Sequence, residues 1–242
     1  MNFKSVVKES LGMMYYHTFK KFQNIRGNRS LIYHAFGTKL EHDTYGISIK
    51  IQNFKEHMKY LVDNYKIISA TNYSNYNSES VSITIDDGYK DTLRAIEILD
   101  HYKIPSIIFI TSNFINEHNY LTDRDLCEIS KSDLFTIGAH GSSHKKLGTL
   151  SIEEQCNELR DSKIKIERII NKKINSISYP HGSYNTDTFD ILDNLEYQYA
   201  FSSIKGLNNI LTNKYLLRRS EIISTDKVKD LNKKIKGFYD FY

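Results

Sequence analysis

The feature that most constrains the fold is an alternation of short apolar runs with longer segments of helical periodicity. The short runs are rich in β-branched and aromatic residues, as strands are. Strands that alternate with helices at this spacing predict a parallel sheet, either open or closed into a barrel. The predicted strands occupy residues 30–33, 81–85, 106–110, 135–139, 174–178, 198–202 and 216–222.

The segments between these runs have the patterns of amphipathic helices. One helix is predicted to begin at Ser151, because Ser151 and Glu154 have the spacing of a capping box, and Thr122 and Asp125 form a similar pair. The residues predicted to face the core are Phe54, Met58, Leu61, Val62 and Tyr65 in one helix and Ile152, Cys156 and Leu159 in another.

Composition excludes several classes of protein. Apolar residues make up 40% and charged residues 26% of the 242, so the chain is neither a disordered tail nor a fibre. No run approaches the roughly 20 apolar residues of a membrane span, which excludes a polytopic membrane protein. The net charge of +4 is too mild and too evenly spread to indicate nucleic-acid binding. The cysteines, Cys127 and Cys156, are expected to be buried thiols and require no oxidising compartment.

We expect one domain over residues 30–242, preceded by an arm over residues 1–29. The arm has the pattern of a basic amphipathic helix, which could pack on the domain or lie on an acidic membrane surface. Its apolar stretch is interrupted too early for a signal peptide. We therefore expect a cytoplasmic protein, with peripheral membrane contact through residues 1–29 as an open alternative.

Unusual polar residues follow the predicted strands. In a β/α barrel the carboxyl ends of all strands share one face, where active sites are built. These residues could therefore converge although they are far apart in the sequence. They are His34, Asp86, Asp87, His140, His144 and the segment 179–182.

Each of these motifs has a simpler interpretation when it is taken alone. Asp-Asp-Gly and Tyr-Pro-His-Gly are typical of turns. His34 could be an ordinary buried histidine, and the H-x-x-x-H pair could be two surface or capping histidines. Two histidines with one carboxylate are, however, the ligand set of hydrolytic metal sites.

Three motifs resemble, in this order, those of the polysaccharide deacetylases with a NodB-homology domain, carbohydrate esterase family 4. They read ITIDDGYKDT, IGAHGSSHKKL and SISYPHGSYN, and the terminal LLRRSEI also resembles the last strand of such chains. The resemblance covers about residues 30–223. It implies a distorted (β/α) barrel with seven or so parallel strands.

The resemblance also implies residue roles. Asp86 would be the catalytic base, and Asp87, His140 and His144 would bind one divalent metal ion. Zinc fits this ligand set, and cobalt, nickel, manganese or iron could occupy it. The third motif would supply a pocket wall and a backbone amide facing the oxyanion, which here are Tyr179, Pro180 and His181.

The sequence departs from the family pattern at three places. Ser178 replaces the arginine that usually orients the base, so another group must hold Asp86. Gly141 stands where Ser or Thr is common. No Leu-x-His follows the last strand, but a circularly permuted branch, resembling the poly-β-1,6-N-acetylglucosamine deacetylases, carries that motif near the N-terminus. Ile32-Tyr33-His34 fits that branch and makes His34 the expected general acid.

These observations predict a metal-dependent hydrolase that removes an N-acetyl group from an amino sugar in a glycan or glycan precursor. The alternatives are a deformylase or cyclic-amide hydrolase on the same fold, and a non-catalytic carbohydrate-binding domain. Turns rich in Tyr and Asn could bind a sugar ring, although a chain with 12% aromatic residues has tyrosines in many places. These turn residues are Tyr73, Tyr76, Asn77, Tyr89, Tyr184 and Asn185.

Overall fold

A computed structural model describes residues 3–18, 26–41 and 43–240. Its seven strands form one sheet in the order β6-β5-β4-β3-β2-β1-β7, and every neighbouring pair is parallel. The strands are β1 (Asn28–Tyr33), β2 (Ser80–Ile85), β3 (Ser106–Ile110), β4 (Phe135–Ala139), β5 (Ser176–Ser178), β6 (Tyr199–Phe201) and β7 (Arg219–Glu221).

The two edges of this sheet approach each other. The segment that precedes β7 hydrogen-bonds to β6, since the Ala200 N–H donates to the Lys214 carbonyl (2.9 Å) and the Ser202 N–H to the Leu217 carbonyl (2.8 Å). The sheet is thus a nearly closed barrel, which confirms the predicted distorted (β/α) barrel of seven parallel strands. Strand β1 begins at Asn28, inside the predicted arm, because Asn28 pairs with Ser80 of β2.

Helices cover the outside of the barrel, and both predicted capping boxes are present. The predicted buried faces were wrong at Val62 and Ile152, which are 43% and 59% exposed. In each helix a polar residue lies inside instead: His57 contacts Tyr33, and Gln155 donates to the Leu150 carbonyl. The helices are α1 (Phe3–Thr18), α2 (Ile51–Asn64), α3 (Thr92–His101), α4 (Asp123–Ser130), α5 (Ile152–Ile170), α6 (Thr186–Asn194) and α7 (Val228–Ile235).

The predicted N-terminal arm includes α1. The ring of Tyr16 stacks on Phe238 with centroids 4.2 Å apart, so this end of α1 contacts the C-terminal segment. Among the described helices, none has the length and apolarity that crossing a membrane requires. Residues 19–25 of the arm lie outside the described part of the chain, and membrane contact and cytoplasmic location stay predictions. Cys127 and Cys156 are free thiols, half-buried rather than buried.

Candidate active site

Asp87, His140 and His144 lie together beyond the carboxyl ends of β2 and β4. Their potential ligand atoms are all within 4.8 Å of one another. Asp87 and His140 are buried, whereas His144 is half-buried at the opening of the site. The predicted metal ligands therefore converge as the positions of the strands require.

These three side chains fit a divalent cation. Oδ1 of Asp87 is 3.3 Å from Nε2 of His140 and 3.3 Å from Nε2 of His144. This buried oxygen has no hydrogen-bond partner among the described residues. A buried oxygen between two imidazole nitrogens is costly unless a cation or proton satisfies it. The donor set is that of a hydrolytic metal site with open positions.

A hydrogen bond fixes the orientation of the first histidine. Nδ1 of His140 lies 2.8 Å from the carbonyl oxygen of Ser178. A carbonyl can only accept, so Nδ1 carries the proton, and in the neutral imidazole the lone pair is on Nε2, towards Asp87. Strand β5 thereby orients a candidate ligand that follows β4.

Three site residues adopt left-handed backbone conformations. The φ angles are 73° for Asp87, 61° for His144 and 56° for His181. Residues other than glycine adopt this region rarely, and such conformations cluster at functional sites. Asp87 is followed by Gly88 in the same region, which completes a turn that ends β2. The loops therefore position these side chains by backbone geometry as well as by packing.

Asp86 is held by an arginine of β7, the edge strand that lies two positions from β2 in the sheet. Nη1 of Arg219 lies 2.7 Å from Oδ1 of Asp86, and Nη2 lies 2.8 Å from Oδ2. Both side chains are buried. Ser178 adds a hydrogen bond from Oγ to Oδ2 of Asp86 (2.8 Å). Arg219 and Ser178 are thus the groups that hold Asp86, which the sequence had left unassigned.

The guanidinium of Arg219 has a partner for each of its N–H groups. Besides Asp86 and the Ser178 hydroxyl, it donates to Oγ1 of Thr84 (2.9 Å) and to the carbonyl of Ser202 (3.1 Å). Its charge also lies over the ring of Phe109, 5.5 Å from the centroid. Such full pairing allows a charge to remain inside the barrel.

The two adjacent carboxylates are both held ionised. Burial alone would raise the pKa of Asp86, but Arg219, His140 and His34 outweigh it and lower that pKa below its ordinary value. Burial opposes ionisation of Asp87 in the same way, and the imidazoles of His140 and His144 hold its pKa well below the ordinary range. The site therefore presents two carboxylates in different surroundings, one beside a guanidinium and one between imidazoles.

His34 lies beside these carboxylates. It follows β1, and the register of β1 with β2 pairs Tyr33 with Ile85, which sets His34 level with Asp86. Its electrostatic interaction with the two carboxylates contributes to the lowered pKa of both Asp86 and Asp87. Nδ1 of His34 is buried without a hydrogen-bond partner in the described part of the chain.

The residues of the third motif lie partly in the site and partly in the core. His181 lies against His144, with ring centroids 4.5 Å apart and Nε2 3.2 Å from the His144 carbonyl oxygen. Pro180 lies alongside Gly141, whose added Cβ would be 3.3 Å from the proline Cγ. The side chain of Tyr179 is instead buried in the core and donates to the Tyr215 carbonyl (2.8 Å), so the predicted pocket wall does not include its ring.

The tyrosines named as sugar-binding candidates lie in different places. Tyr89 is next to the site, where burial and the Asp87 carboxylate raise its pKa, and its ring stacks on Tyr120 at 5.0 Å. Tyr76 is fully buried and bonds to the Ala70 carbonyl, so it cannot contact a glycan. Tyr184 packs on Phe189, and Asn185 caps α6. Of these residues, Tyr89 is therefore placed beside Asp87.

Arg219 was not among the predicted site residues. The sequence gives only a weak signal for it: Arg219 shares a strand face with Leu217 in the last predicted strand, 216–222, but Arg218 and Glu221 of the same run are also charged. A buried arginine requires a carboxylate or several acceptors. The sequence also predicted that some group must hold Asp86, and a buried arginine would meet that requirement.

The chain belongs to the polysaccharide deacetylase family. The sequence model of that family matches residues 73–200, more than half of the chain. The Bacillus subtilis protein YxkH, which carries a polysaccharide-deacetylase name, is 27% identical over 203 residues, covering 79% of this chain and 70% of its own length. A Staphylococcus aureus poly-β-1,6-N-acetyl-D-glucosamine N-deacetylase is 27% identical over 176 residues, or 66% of this chain and 60% of that protein.

Solved structures share the fold. The Streptococcus pyogenes deacetylase PplD, solved with acetate, superposes with a TM-score of 0.77 at 21% identity, over 86% of this chain and 98% of that one. IcaB from Ammonifex degensii superposes with a TM-score of 0.74 at 15% identity, over 88% and 98%. The barrel of this chain therefore has the fold of solved deacetylase structures.

Proposed function

We propose that this member of the family is a metal-dependent N-deacetylase that releases acetate and a free amine from an acetylated amino sugar. The observation that carries the proposal is the buried Oδ1 of Asp87, which lies between two imidazole nitrogens next to the arginine-bound Asp86. The name of the Staphylococcus aureus relative supports an N-acetyl amino sugar as the substrate class.

Asp87, His140 and His144 would hold one divalent ion, for which zinc is the first candidate and cobalt, nickel, manganese and iron are the others. When bound, such an ion supplies Lewis acidity to an acyl oxygen and lowers the pKa of water. The hydrogen bond of His140 to Ser178 keeps Nε2 free as the ligand atom.

Asp86 and His34 would carry the two proton transfers of amide hydrolysis. Asp86 is ionised, and the carboxylate can accept the proton that water loses as its oxygen attacks the acetyl carbon. His34 in its imidazolium form would donate a proton to the departing nitrogen as the C–N bond breaks. The backbone near His181 would face the developing oxyanion, where a fixed N–H group stabilises negative charge.

Metal analysis with an acetate-release assay tests this proposal. We expect one divalent ion per chain and release of acetate from N-acetylated glucosamine oligomers, both lost in the Asp87→Ala, His140→Ala double variant. Stoichiometric metal in that variant would contradict the assigned ligands. Parallel assays on N-formyl sugars and on cyclic amides distinguish the two other hydrolases, and glycan binding without turnover would identify a non-catalytic domain.

A further inference from the structure

A loop of only three residues separates the two proposed histidine ligands, and the N–H groups of Ser142 and Ser143 in it donate to a carboxylate of α5. Oε2 of Glu158 in α5 accepts from the N–H of Ser142 (2.9 Å) and from the N–H of Ser143 (2.8 Å). Oε1 of Glu158 accepts from the Ser143 hydroxyl (2.5 Å). One carboxylate therefore binds two successive amides, the arrangement of an anion in a backbone nest.

Other neighbours hold the remaining sides of this loop. The N–H of Ser112 donates to the Gly141 carbonyl (3.1 Å), and the N–H of Asn113 donates to the Ser142 carbonyl (2.9 Å). Gly141 has φ of 71°, and a Cβ there would approach both Pro180 and Oε2 of Glu158 (3.3 and 3.4 Å). The glycine that departs from the family pattern is thus required where the loop passes between Pro180 and Glu158.

We propose that Glu158 is a positioning residue for the metal site, which holds the loop so that His144 can share an ion with Asp87 and His140. The inference rests on the proposed function and adds a residue to it. Among the described residues, Glu158 is the acceptor for both loop amides, and His144 follows them directly in a left-handed conformation with φ of 61°. Without that carboxylate the amides would turn towards water, and the imidazole of His144 would lose its fixed place.

The variants separate acceptor geometry from charge and from folding. Glu158→Gln keeps a carbonyl oxygen that can accept from both amides, Glu158→Asp keeps the charge but shortens the reach, and Glu158→Ala removes the acceptor. Glu153→Ala, on the exposed side of the same helix, is the matched control. Zinc affinity is measured on purified full-length protein by competition with a chromogenic chelator, alongside the thermal midpoint of the metal-free protein.

We expect Glu158→Ala and Glu158→Asp to weaken zinc binding about 10- to 100-fold, the range for loss of a group that supports the ligands from outside the coordination sphere. Glu158→Gln and Glu153→Ala should remain close to the wild type. Unchanged zinc affinity in Glu158→Asp, or equal weakening in Glu158→Gln and Glu158→Asp, would overturn the inference. Because Glu158→Gln and Glu158→Asp retain the polar side chain, this comparison stands even where Glu158→Ala does not fold. A wild-type chain that binds no divalent ion would contradict the proposed function itself.

Discussion

Arg219 and Asp86 form an ion pair inside the barrel in which each of the two Nη atoms faces one carboxylate oxygen, at 2.7 and 2.8 Å. The two residues are separated by 133 positions in the sequence, and β1 lies between their strands in the sheet. The pair holds Asp86 in one orientation and keeps it ionised. It also makes the stability of the barrel depend on Asp86, the proposed catalytic base.

Removing the arginine of this pair should destabilise the protein strongly. Arg219→Met leaves the carboxylate of Asp86 buried without its cation, which costs about 3–5 kcal/mol in the free energy of unfolding. The double variant Arg219→Met, Asp86→Asn removes both charges and should regain part of that loss while remaining inactive. Chemical denaturation measures both effects, with Arg218→Met on the exposed neighbour as the control. If Arg219→Met and the double variant had the same free energy of unfolding, the two charges would not be coupled.

Asp86→Asn should separate metal binding from turnover. The amide keeps the size of the side chain but cannot take a proton from water, so kcat should fall about 10²–10⁴-fold. Bound metal should remain stoichiometric, because the proposed ligands are Asp87, His140 and His144. Element analysis and an acetate-release assay on the same preparation measure the two quantities. An Asp86→Asn enzyme with normal kcat would rule out Asp86 as the base.

His34→Ala should reduce kcat by about 10²–10⁴-fold, the range for loss of one proton-transfer group. Metal content should not change, because His34 is not among the residues that converge as ligands. His181→Ala is the informative comparison, since His181 is the other histidine beside His144. If His34→Ala retains normal turnover while His181→Ala does not, the general acid is His181.

His57 lies outside the active site and should make the stability of the protein depend on pH. Burial lowers the pKa of His57 from 6.5 to about 4, and Nδ1 lies 3.1 Å from the hydroxyl of Tyr33. The unfolded chain therefore binds a proton more readily than the folded one, so the contribution of this group to stability is present above pH 6.5 and is lost as the pH falls towards 4. The loss amounts to about 3 kcal/mol for this shift.

Denaturant titrations between pH 7 and pH 4 measure this dependence. The slope should be smaller in His57→Phe, which cannot take up a proton, and unchanged in His118→Gln, whose histidine is exposed. A His57→Phe variant with the same pH dependence as the wild type would assign the acid sensitivity to other groups.

The sequence pattern predicted the positions of several strands and the convergence of the site residues. Strands 106–110 and 135–139 match β3 and β4 at both ends, because apolar runs buried on both faces end where polar turn residues begin. The convergence of Asp87 with His140 and His144 followed from the same pattern, since parallel strands bring their carboxyl ends to one face. Local periodicity was less reliable at the helix surfaces, where Ile152 is exposed and Gln155 is buried.

What the sequence by itself determined was the kind of barrel and the side chains that gather at its open end, because strand length and alternation are local properties. The tertiary structure alone decided which group holds Asp86, since Arg219 reaches it only when β7 pairs with β1. It also decided that Tyr76 is buried, and that Glu158 binds the loop between the two histidines. Such contacts join residues far apart in the chain, and they arise only when strands pair and helices pack.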